Sequence, residues 1–519
     1  MLDGSDVIGA RVDVDGQLGT IRFHGAIPST SGTSSTIWYG IEWDDPSRGK
    51  HSGNHNGIQY FTTTSPNSAS FIKPSPKIKF GRPFLEAVTS KYIIDETNIE
   101  MGGWGGKTVE AIGFDKVKRK MKTLGHLHEI NVAALQICRV NGGGDTAESL
   151  DMIREACVSL EELDLSRNLF KGVSDVGYLT QCMPKLEILR LGYCRLELDL
   201  DRIPNSAFGN IKVLVLNGIN WGWKDVVSMG PYLPCLEDLS FGFQDGMCAT
   251  LGGSNFSNGR HGFFPTLRSL NLESNGIHDW QDVSASLSQI PNLESLVLTN
   301  NPIENIIIHP DTFKTLKSIT LSATTISSWK SLDTLNTLPN LVDLRIRRIP
   351  LLDSVKQYVQ RTMLIARISS LTVLNGSAIS SKERKEAELY YVNQVCLSDM
   401  QDPSFNDLHP RYEVLIKEYD ITRPNPATIK PASSTLKDRL IQVKLVNMTN
   451  SKAVEKRIPG TMMMRNFRSL VAKVVGCALM SMTLKVVGQD GRVVDMDDEL
   501  REVAFYGVEN GDTIQVGVV

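Results

Sequence analysis

LEELDLSRN, residues 160–168, places three leucines in the order L-x-x-L-x-L and ends on an asparagine. The same pattern begins again at Leu186, Ile211, Leu236, Leu267, Leu293, Leu316 and Leu341. A weaker copy, VAALQICRV, begins at Val132, and a last one, LTVLNGSAI, begins at Leu371. The second apolar anchors are residues 135, 163, 189, 214, 239, 270, 296, 319, 344 and 374, so neighbouring copies are 23 to 31 residues apart.

This spacing is typical of leucine-rich repeats, in which each copy forms a short strand with one buried face. Stacked copies bury a continuous core, so residues 126–378 are predicted to form an α/β solenoid. Asn168, Asn275 and Asn301 stand where such repeats turn off the strand, where a buried amide can satisfy backbone groups. Cys194, Thr324 and Ile349 stand at that position in other copies, which predicts irregular loops.

The residues between the leucines predict a concave face of mixed charge, acidic in the first clear repeats and basic at Arg345, Arg347 and Arg348. Such a face suits protein binding, and an ordinary solvated surface explains each single charge equally well. The following SSKERKEAELYYVNQV predicts a helix, with a capping box from Ser380 to Glu383. Leu389, Val392 and Val395 lie near one face of that helix, so residues 379–422 are predicted to form a helical C-terminal cap.

Residues 423–437 are rich in Pro, Ser and Thr and are predicted to be a linker. The remaining residues, 438–519, read as two strands, an amphipathic helix, two short strands and a final strand. Met464, Phe467, Leu470, Val471 and Val474 share one side of the predicted helix. This order resembles a ubiquitin-like β-grasp. Because the sequence ends in Val-Val and not Gly-Gly, a docking role is expected in place of conjugation.

The N-terminal segment contains short strand patterns, among them LGTIRFHG, WYGIEWDDPSRGKHSGNHNGIQYF and ASFIKP. Together they resemble the CAP-Gly family, whose small all-β domain would occupy residues 1–82. That resemblance implies an aromatic groove for acidic chain ends that finish in an aromatic residue and a free carboxylate, as α-tubulin does. The groove residues that it implies are Trp38, Gly49, Lys50, His51, Gly53, Phe71 and Lys73.

The chemistry of this stretch agrees with such a ligand. Glycines expose backbone N–H groups, and Lys50 supplies a cation for a carboxylate. His51 and Ser52 stand where the family has Asn and Asp, and His51 is expected to add pH dependence near its pKa of about 6.5. Trp43, Tyr60 and Phe61 are expected to support the fold. From the glycines and Lys50 alone, a structural hairpin in a small β barrel is an equally good interpretation.

Other classes of function receive less support from the sequence. A net charge of −3 gives no reason to expect nucleic acid or membrane as a partner, and no signal peptide or apolar span is seen. Eight scattered Cys without a C-x-x-C pair suit the reducing cytosol and predict no metal site. In the connecting segment 83–125, MGGWGGKT has Met101 where a phosphate loop needs glycine. With no catalytic constellation visible, we expect neither an enzyme nor a cofactor.

The chain is therefore predicted to be multidomain, and the order of its domains resembles the tubulin-folding cofactor E family. GIEWDDPSRGKHSGNHNG and HPRYEVLIKEYD also match that family. The resemblance implies a cytoplasmic, cytoskeleton-associated chaperone that binds the tail and body of α-tubulin. It would act with other tubulin-folding cofactors in assembly and disassembly of the heterodimer, and a proteasome or ubiquitin-pathway factor is a further partner for the C-terminal domain. The alternatives are a scaffold for microtubules or their plus-end proteins and a ubiquitin-pathway adaptor with repeat-bound cargo.

Overall fold

A computed structural model describes much of the chain, and it divides into two compact units, residues 1–302 and 303–519. The described residues are 7–28, 36–92, 124–140, 147–244, 246, 248–252, 264–309, 311–395, 404–421, 440–479, 482–489, 491–499 and 501–518. The glycine-rich segment 101–108, the predicted linker 423–437 and most of the predicted connecting segment lie outside them. Among the described helices, none combines the length and apolar character needed to cross a membrane.

The N-terminal domain is built on a five-stranded antiparallel sheet in the order β6-β3-β2-β1-β7. Asp15 and Gly16, both with positive φ, make the tight turn between β1 and β2 that an Asp-Gly pair favours. Val12, Ile21, Ile41 and Trp43 are among the residues of its core. The strands are β1 (Arg11–Val14), β2 (Gln17–Ile27), β3 (Thr36–Trp43), β4 (Asn54–His55), β5 (Ile58–Gln59), β6 (Ala69–Ile72) and β7 (Ile78–Lys79).

A short segment leads from this domain towards the repeats. Strand β8 (Arg82–Pro83) pairs with β10 (Ile137–Arg139), and helix α1 (Phe84–Tyr92) follows β8 directly. Arg82 donates a hydrogen bond from Nε to the Leu135 carbonyl at 3.0 Å. Part of the predicted connecting segment is therefore a strand and a helix in this structure.

The repeats of the first unit stack as short parallel strands, each with its central apolar residue in register with the next. Every second residue points inward, so the central leucines are buried almost completely. The strands are β9 (Glu129–Asn131), β11 (Glu162–Asp164), β12 (Ile188–Arg190), β13 (Val213–Val215), β14 (Asp238–Ser240), β15 (Ser269–Asn271) and β16 (Ser295–Val297). Helices between them are α2 (Ala147–Ala156), α3 (Val173–Thr180), α4 (Trp223–Met229) and α5 (Trp280–Leu287).

The position of the first repeat differs from the sequence prediction. Ile130, and not Leu135, pairs with Leu163 in the neighbouring strand. Ile130 and Val132 are fully buried, whereas Leu135 is half-buried. The predicted anchor at residue 135 was therefore wrong, because Leu127, Ile130 and Val132 also fit L-x-x-L-x-L and place Leu135 where later copies have their asparagine.

The buried asparagines serve the backbone, as the sequence predicts. Asn301 donates to the carbonyls of Leu272 and Leu298 at 2.9 and 3.1 Å, and its Oδ1 accepts from two backbone N–H groups. Asn168 and Asn275 are fully buried and make equivalent bonds. Gln244 stands at the same position, and its amide donates to Leu216 and Gly242. Gln244 was not identified from the sequence, although its position in the repeat, five residues after the strand-centre Leu239, could have indicated it.

The second unit begins with the last repeats and continues into helices. Strands β17 (Ser318–Thr320), β18 (Asp343–Arg345) and β19 (Val373–Leu374) run parallel, and β20 (Ser377–Ala378) is antiparallel to β19. The helix Ser381–Val395 packs against the helices Gln357–Arg367 and Tyr412–Glu418. The helices are α6 (Trp329–Asp333), α7 (Pro350–Asp353), α8 (Gln357–Arg367), α9 (Ser381–Val395), α10 (Phe405–Leu408) and α11 (Tyr412–Glu418).

The start of α9 contains half of the predicted capping box. The hydroxyl of Ser380 accepts from the backbone N–H of Glu383 at 3.1 Å. The Glu383 carboxylate instead accepts from Arg361 on α8, at 2.6 and 3.1 Å. The reciprocal half of the prediction was wrong, because an arginine on a neighbouring helix competes for the carboxylate and a charged pair is the stronger bond.

The C-terminal domain is a five-stranded sheet in the order β22-β21-β25-β23-β24, with a helix against it. β21 and β25 are parallel, and the other neighbours are antiparallel. Met464, Phe467 and Val471 on the helix are buried, which confirms the predicted amphipathic face. The elements are β21 (Leu440–Asn447), β22 (Ala453–Pro459), α12 (Met464–Val475), β23 (Met482–Val487), β24 (Val493–Asp495) and β25 (Thr513–Val518). This is the predicted β-grasp.

Candidate functional site

The pairing of β3 with β6 brings three of the predicted site residues, Trp38, Phe71 and Lys73, onto one face of the N-terminal sheet. Gly40 is opposite Phe71, and Tyr39 is opposite Ile72. One step further, the Lys73 ammonium lies 5.2 Å from the centre of the Trp38 ring. Because side chains alternate along a strand, Trp38, Gly40, Phe71 and Lys73 share this face. Trp38 and Phe71 are half-buried, so part of each ring remains accessible.

Phe71 is the centre of an aromatic cluster. The His51 ring stacks on it at 4.7 Å between centroids, while Tyr60 and Phe61 meet it edge-on at 5.6 Å. Phe23 on β2 also contacts it, at 6.0 Å. Phe23 was not identified from the sequence, although its position in the strand pattern LGTIRFHG could have indicated it. The cluster fixes the orientation of Phe71 on the candidate face.

The polar loop after β3 is held against the start of β6. Residues Pro46–Arg48 form a 3₁₀ turn, capped by the side chain of Asp45. The backbone N–H of Lys50 donates to the Ala69 carbonyl at 2.7 Å, and Ala69 N–H donates to His51 at 2.9 Å. The loop is therefore fixed beside the aromatic face by the backbone itself.

Two of the predicted glycines are required by close contacts. A Cβ on Gly49 would lie 1.9 Å from the Asn67 carbonyl oxygen, which is far inside contact distance. Gly53 has a φ of +88°, and a Cβ there would lie 2.0 Å from the Phe61 carbonyl oxygen. Only glycine combines this backbone conformation with this approach. The conformation of the loop therefore requires glycine at both positions.

The two lysines of the candidate site point to solvent. Lys50 and Lys73 are exposed, and neither makes an ion pair with another described residue. Lys50 directly precedes His51, which stacks on Phe71, so the backbone of Lys50 lies beside the aromatic cluster. Accessible rings beside free ammonium groups can bind a ligand that carries both an apolar group and a carboxylate.

His51 has a defined structural task. Its Nδ1 accepts a hydrogen bond from the backbone N–H of Gly53 at 3.0 Å, which assigns the remaining proton of the neutral ring to Nε2. Burial lowers the pKa of His51, and the nearby His55 lowers it further. The neutral ring is thus favoured at neutral pH, and the transition lies below the pKa of about 6.5 expected from the sequence.

Ser52 also holds the loop together. Its hydroxyl accepts from the backbone N–H of Asn67 at 2.9 Å, and its carbonyl accepts from the Gln59 side chain at 2.8 Å. Gln59 and Asn67 were not identified from the sequence, since only the fold brings them to the loop. The structure places all seven predicted residues in two connected elements, the aromatic face and the loop.

In the described part of the chain, no group of three or more His, Cys, Asp or Glu side chains is arranged to hold a metal ion. Buried thiols are found instead in apolar surroundings, where burial raises the pKa of Cys157, Cys194 and Cys248 to about 12. Thiols of such high pKa stay protonated at neutral pH and are poor nucleophiles. These three cysteines therefore serve as buried packing residues.

Comparison with known families agrees with the domain order. The CAP-Gly domain model matches residues 8–76, the leucine-rich repeat model matches residues 265–279, and the ubiquitin-like domain model matches residues 440–517. Among solved structures, the ubiquitin-like domain of mouse tubulin-specific chaperone e shares 22% identity. It covers 18% of this chain and 95% of its own, with a TM-score of 0.15.

Full-length relatives extend the similarity over the whole chain. Tubulin-specific chaperone E of Bos taurus is 31% identical, over 99% of this chain and 98% of its own length. Tubulin-folding cofactor E of Arabidopsis thaliana is 29% identical, over 99% of this chain and 98% of its own. The chain belongs to the tubulin-specific chaperone E family.

Proposed function

We propose that this protein is a tubulin-folding chaperone that captures α-tubulin by its acidic C-terminal tail, and that the repeats hold the body of the subunit. The observation that carries the tail contact is the face formed by Trp38, Phe71 and Lys73, with Lys50 beside it. The terminal aromatic residue of the tail would pack on the half-exposed rings. Its carboxylate, or an acidic neighbour, would pair with Lys50.

The family supports the folding role, because the relatives named above are called tubulin-specific chaperones or tubulin-folding cofactors. We propose that this chain acts with other tubulin-folding cofactors in assembly and disassembly of the heterodimer, in the cytoplasm and near the cytoskeleton. Such work needs binding and release and no covalent chemistry by this chain.

Co-sedimentation tests this role against that of a microtubule scaffold. Full-length protein is mixed either with free tubulin or with stabilised microtubules, and its distribution is measured after centrifugation. We expect it to bind free tubulin and to stay in the supernatant when polymer is pelleted. Stoichiometric pelleting with polymer, unchanged by competing free tubulin, would establish the scaffold instead.

Lys50→Ala and Lys77→Ala form a matched pair for the same assay. Both lysines are exposed and lie in the N-terminal domain, but Lys77 pairs with Asp15 outside the candidate face. We expect Lys50→Ala to weaken capture of free tubulin at least about fivefold, and Lys77→Ala to leave it unchanged. Equal effects would remove the loop from the binding site.

For the C-terminal domain we propose docking of another cofactor or of a proteasome or ubiquitin-pathway factor. The domain presents exposed Lys444 and Lys485 on the outer side of its sheet, while its apolar residues pack against α12. Deletion of residues 438–519 is expected to abolish at least one such contact in a pull-down with purified factors. If every cofactor and proteasome contact survives the deletion, the docking role is wrong.

A further inference from the structure

One position of the repeat has a left-handed backbone in every copy of the first unit. It lies four residues after the strand centre, as Tyr193 does after Leu189, and its φ is between +56° and +64°. The backbone N–H at this position donates to the next repeat, from Tyr193 to the Asn217 carbonyl at 2.7 Å and from Phe243 to the Glu273 carbonyl at 2.9 Å. These positions therefore form a row along the carboxyl ends of the parallel strands. The row includes Arg167, Tyr193, Gly218, Phe243 and Asn300.

Two aromatic residues occupy this left-handed position, where the fold does not favour them. The left-handed conformation brings the Cβ close to the following carbonyl oxygen, so glycine and asparagine adopt it most readily. Gly218 and Asn300 follow this preference, whereas Tyr193 and Phe243 do not. Tyr193 is 40% exposed and Phe243 is 39% exposed, so neither ring belongs to the core. Backbone strain that packing does not explain is typical of functional positions.

Tyr193 and Phe243 are neighbours in the row, with only Gly218 between them. The Arg167 guanidinium lies 4.7 Å from the centre of the Tyr193 ring. Gly218 gives that ring room, because an added Cβ there would be 2.4 Å from Tyr193 Cδ1. Phe243 makes no ring contact with another described aromatic or cationic side chain. Arg167, Tyr193, Gly218 and Phe243 are called the aromatic row below.

The charges beside the aromatic row favour a basic partner. Arg190 in β12 and Lys212 just before β13 each lie within 2.8 Å of a glutamate carboxylate, so these cations are already paired. Asp238 in β14 and Glu273 in the next repeat are half-buried, and neither makes an ion pair with another described residue. Aromatic faces attract cations, and so do carboxylates. The surface around Phe243 is therefore complementary to arginine or lysine side chains flanked by apolar groups.

We propose that the aromatic row binds a basic, partly apolar surface on the body of the captured α-tubulin subunit. This inference rests on the proposed function, in which the repeats hold that body. Exposed aromatic side chains supply a large contact area and are common centres of binding energy in protein interfaces. The strain at Tyr193 and Phe243 would then serve binding and not folding. None of the seven predicted tail-binding residues lies in the aromatic row.

The test measures binding of the full-length protein to free tubulin whose acidic tails have been removed by proteolysis. Tyr193→Asn and Phe243→Asn replace each ring by the residue that the chain itself has at position 300 of the same row. Tyr178→Gln is the matched control, because Tyr178 is a 45% exposed tyrosine on helix α3, outside the row. We expect each row variant to weaken this binding at least about tenfold, and the control to leave it unchanged.

Three further measurements separate the aromatic row from the fold and from the tail contact. The Tm of both row variants should stay close to that of the wild type, because relief of the left-handed strain counters the loss of partial burial. Affinity for an α-tubulin tail peptide should be unchanged. Asp238→Asn should weaken binding of tail-less tubulin about two- to fivefold, and less at high salt. A marked fall in Tm in both row variants would instead make the rings packing residues of the fold.

Equal affinity of tail-less tubulin for the wild type and both row variants would overturn the inference and leave the folding role intact. Binding of intact tubulin but not of tail-less tubulin by the wild type would also overturn it, because the repeats would then make no contact of their own. If the wild type captures no free tubulin at all, the proposed function fails and the inference fails with it.

Discussion

The buried amides of the repeats and the loop beside β6 use polar side chains in opposite ways. The buried side chains of Asn168, Asn275 and Asn301 make their hydrogen bonds to backbone groups inside the protein. In the loop, His51 and Ser52 also hold the backbone, but Lys50 and Lys73 point outward without an ion pair among the described residues. A polar side chain whose hydrogen bonds are all made within the protein has a structural role, and an exposed one without such bonds is a candidate for ligand binding.

The largest effect is expected on the structural side of this comparison. Asn301→Ala would leave the N–H groups of Asn275 and Ile277 and the carbonyl of Leu272 without partners. At about 1–3 kcal/mol for each of these three buried groups, the loss is roughly 3 kcal/mol or more. Urea unfolding followed by circular dichroism measures it. Asn292→Ala, which loses one exposed bond to Pro265, should cost less than about 1 kcal/mol; equal costs would refute the structural role.

A glycine pair separates loop geometry from flexibility. Gly53 and Gly57 both have positive φ, but only at Gly53 would a Cβ meet the backbone, because nothing lies within 4 Å at Gly57. We expect Gly57→Ala to cost about 1–2 kcal/mol. Gly53→Ala should cost roughly 3 kcal/mol or more and abolish tail binding, since the clash adds to the conformational cost. Similar stability and affinity for the two variants would contradict the described loop.

A smaller effect is expected from the second cation. Lys73→Ala should weaken tail binding about two- to fivefold, because an exposed charge pair contributes about 0.2–1 kcal/mol. The difference from the wild type should shrink when the salt concentration is raised, as screening requires. Fluorescence anisotropy with a labelled tail peptide measures both, and Lys77→Ala is the control. A salt-independent loss would mean that Lys73 acts only through its contact with the Trp38 ring.

The smallest effect concerns pH. The pKa of His51 is lowered in the fold, so the unfolded chain, with a pKa of about 6.5, binds the proton more readily. The stability contributed by neutral His51 is present above that value and is lost as the pH falls through the folded pKa. The Tm of the wild type minus the Tm of His51→Asn should therefore stay constant from pH 7 to 8 and should fall as the pH drops below about 6.5. If this difference in Tm rises on acidification instead, the pKa of His51 is raised in the folded state.

Much of the fold is readable from the sequence because its signals are local and repeated. The leucines at 163, 189 and 214 occupy the strand centres that their spacing predicts. The first repeat was misplaced because Leu127, Ile130 and Val132 offer a second register that only strand pairing decides. The predicted bond from Glu383 back to the start of its helix was wrong because Arg361, on another helix, binds the Glu383 carboxylate.

The candidate face and the contacts of Asp44 differ in how far the sequence reveals them. Trp38 and Phe71 lie on strands and Lys73 directly follows one, so alternation along the strands put their common face within reach of prediction. Asp44, in contrast, accepts hydrogen bonds from Arg11, 33 residues away, and from Arg195, 151 residues away. No local pattern encodes such a meeting, because it depends on where the N-terminal domain rests against the repeats.

The most direct test of tail capture is the affinity of the full-length protein for an α-tubulin tail peptide, with and without its final aromatic residue, in the wild type and in Lys50→Ala. We expect removal of the aromatic residue to weaken binding at least about tenfold, because burial of a large apolar side chain contributes about 1.5–3 kcal/mol. Loss of Lys50 should weaken binding about fivefold, the upper end of the range for an exposed charge pair. Absence of binding by the folded wild type, or affinity that ignores both changes, would contradict the account and place the tubulin contact elsewhere.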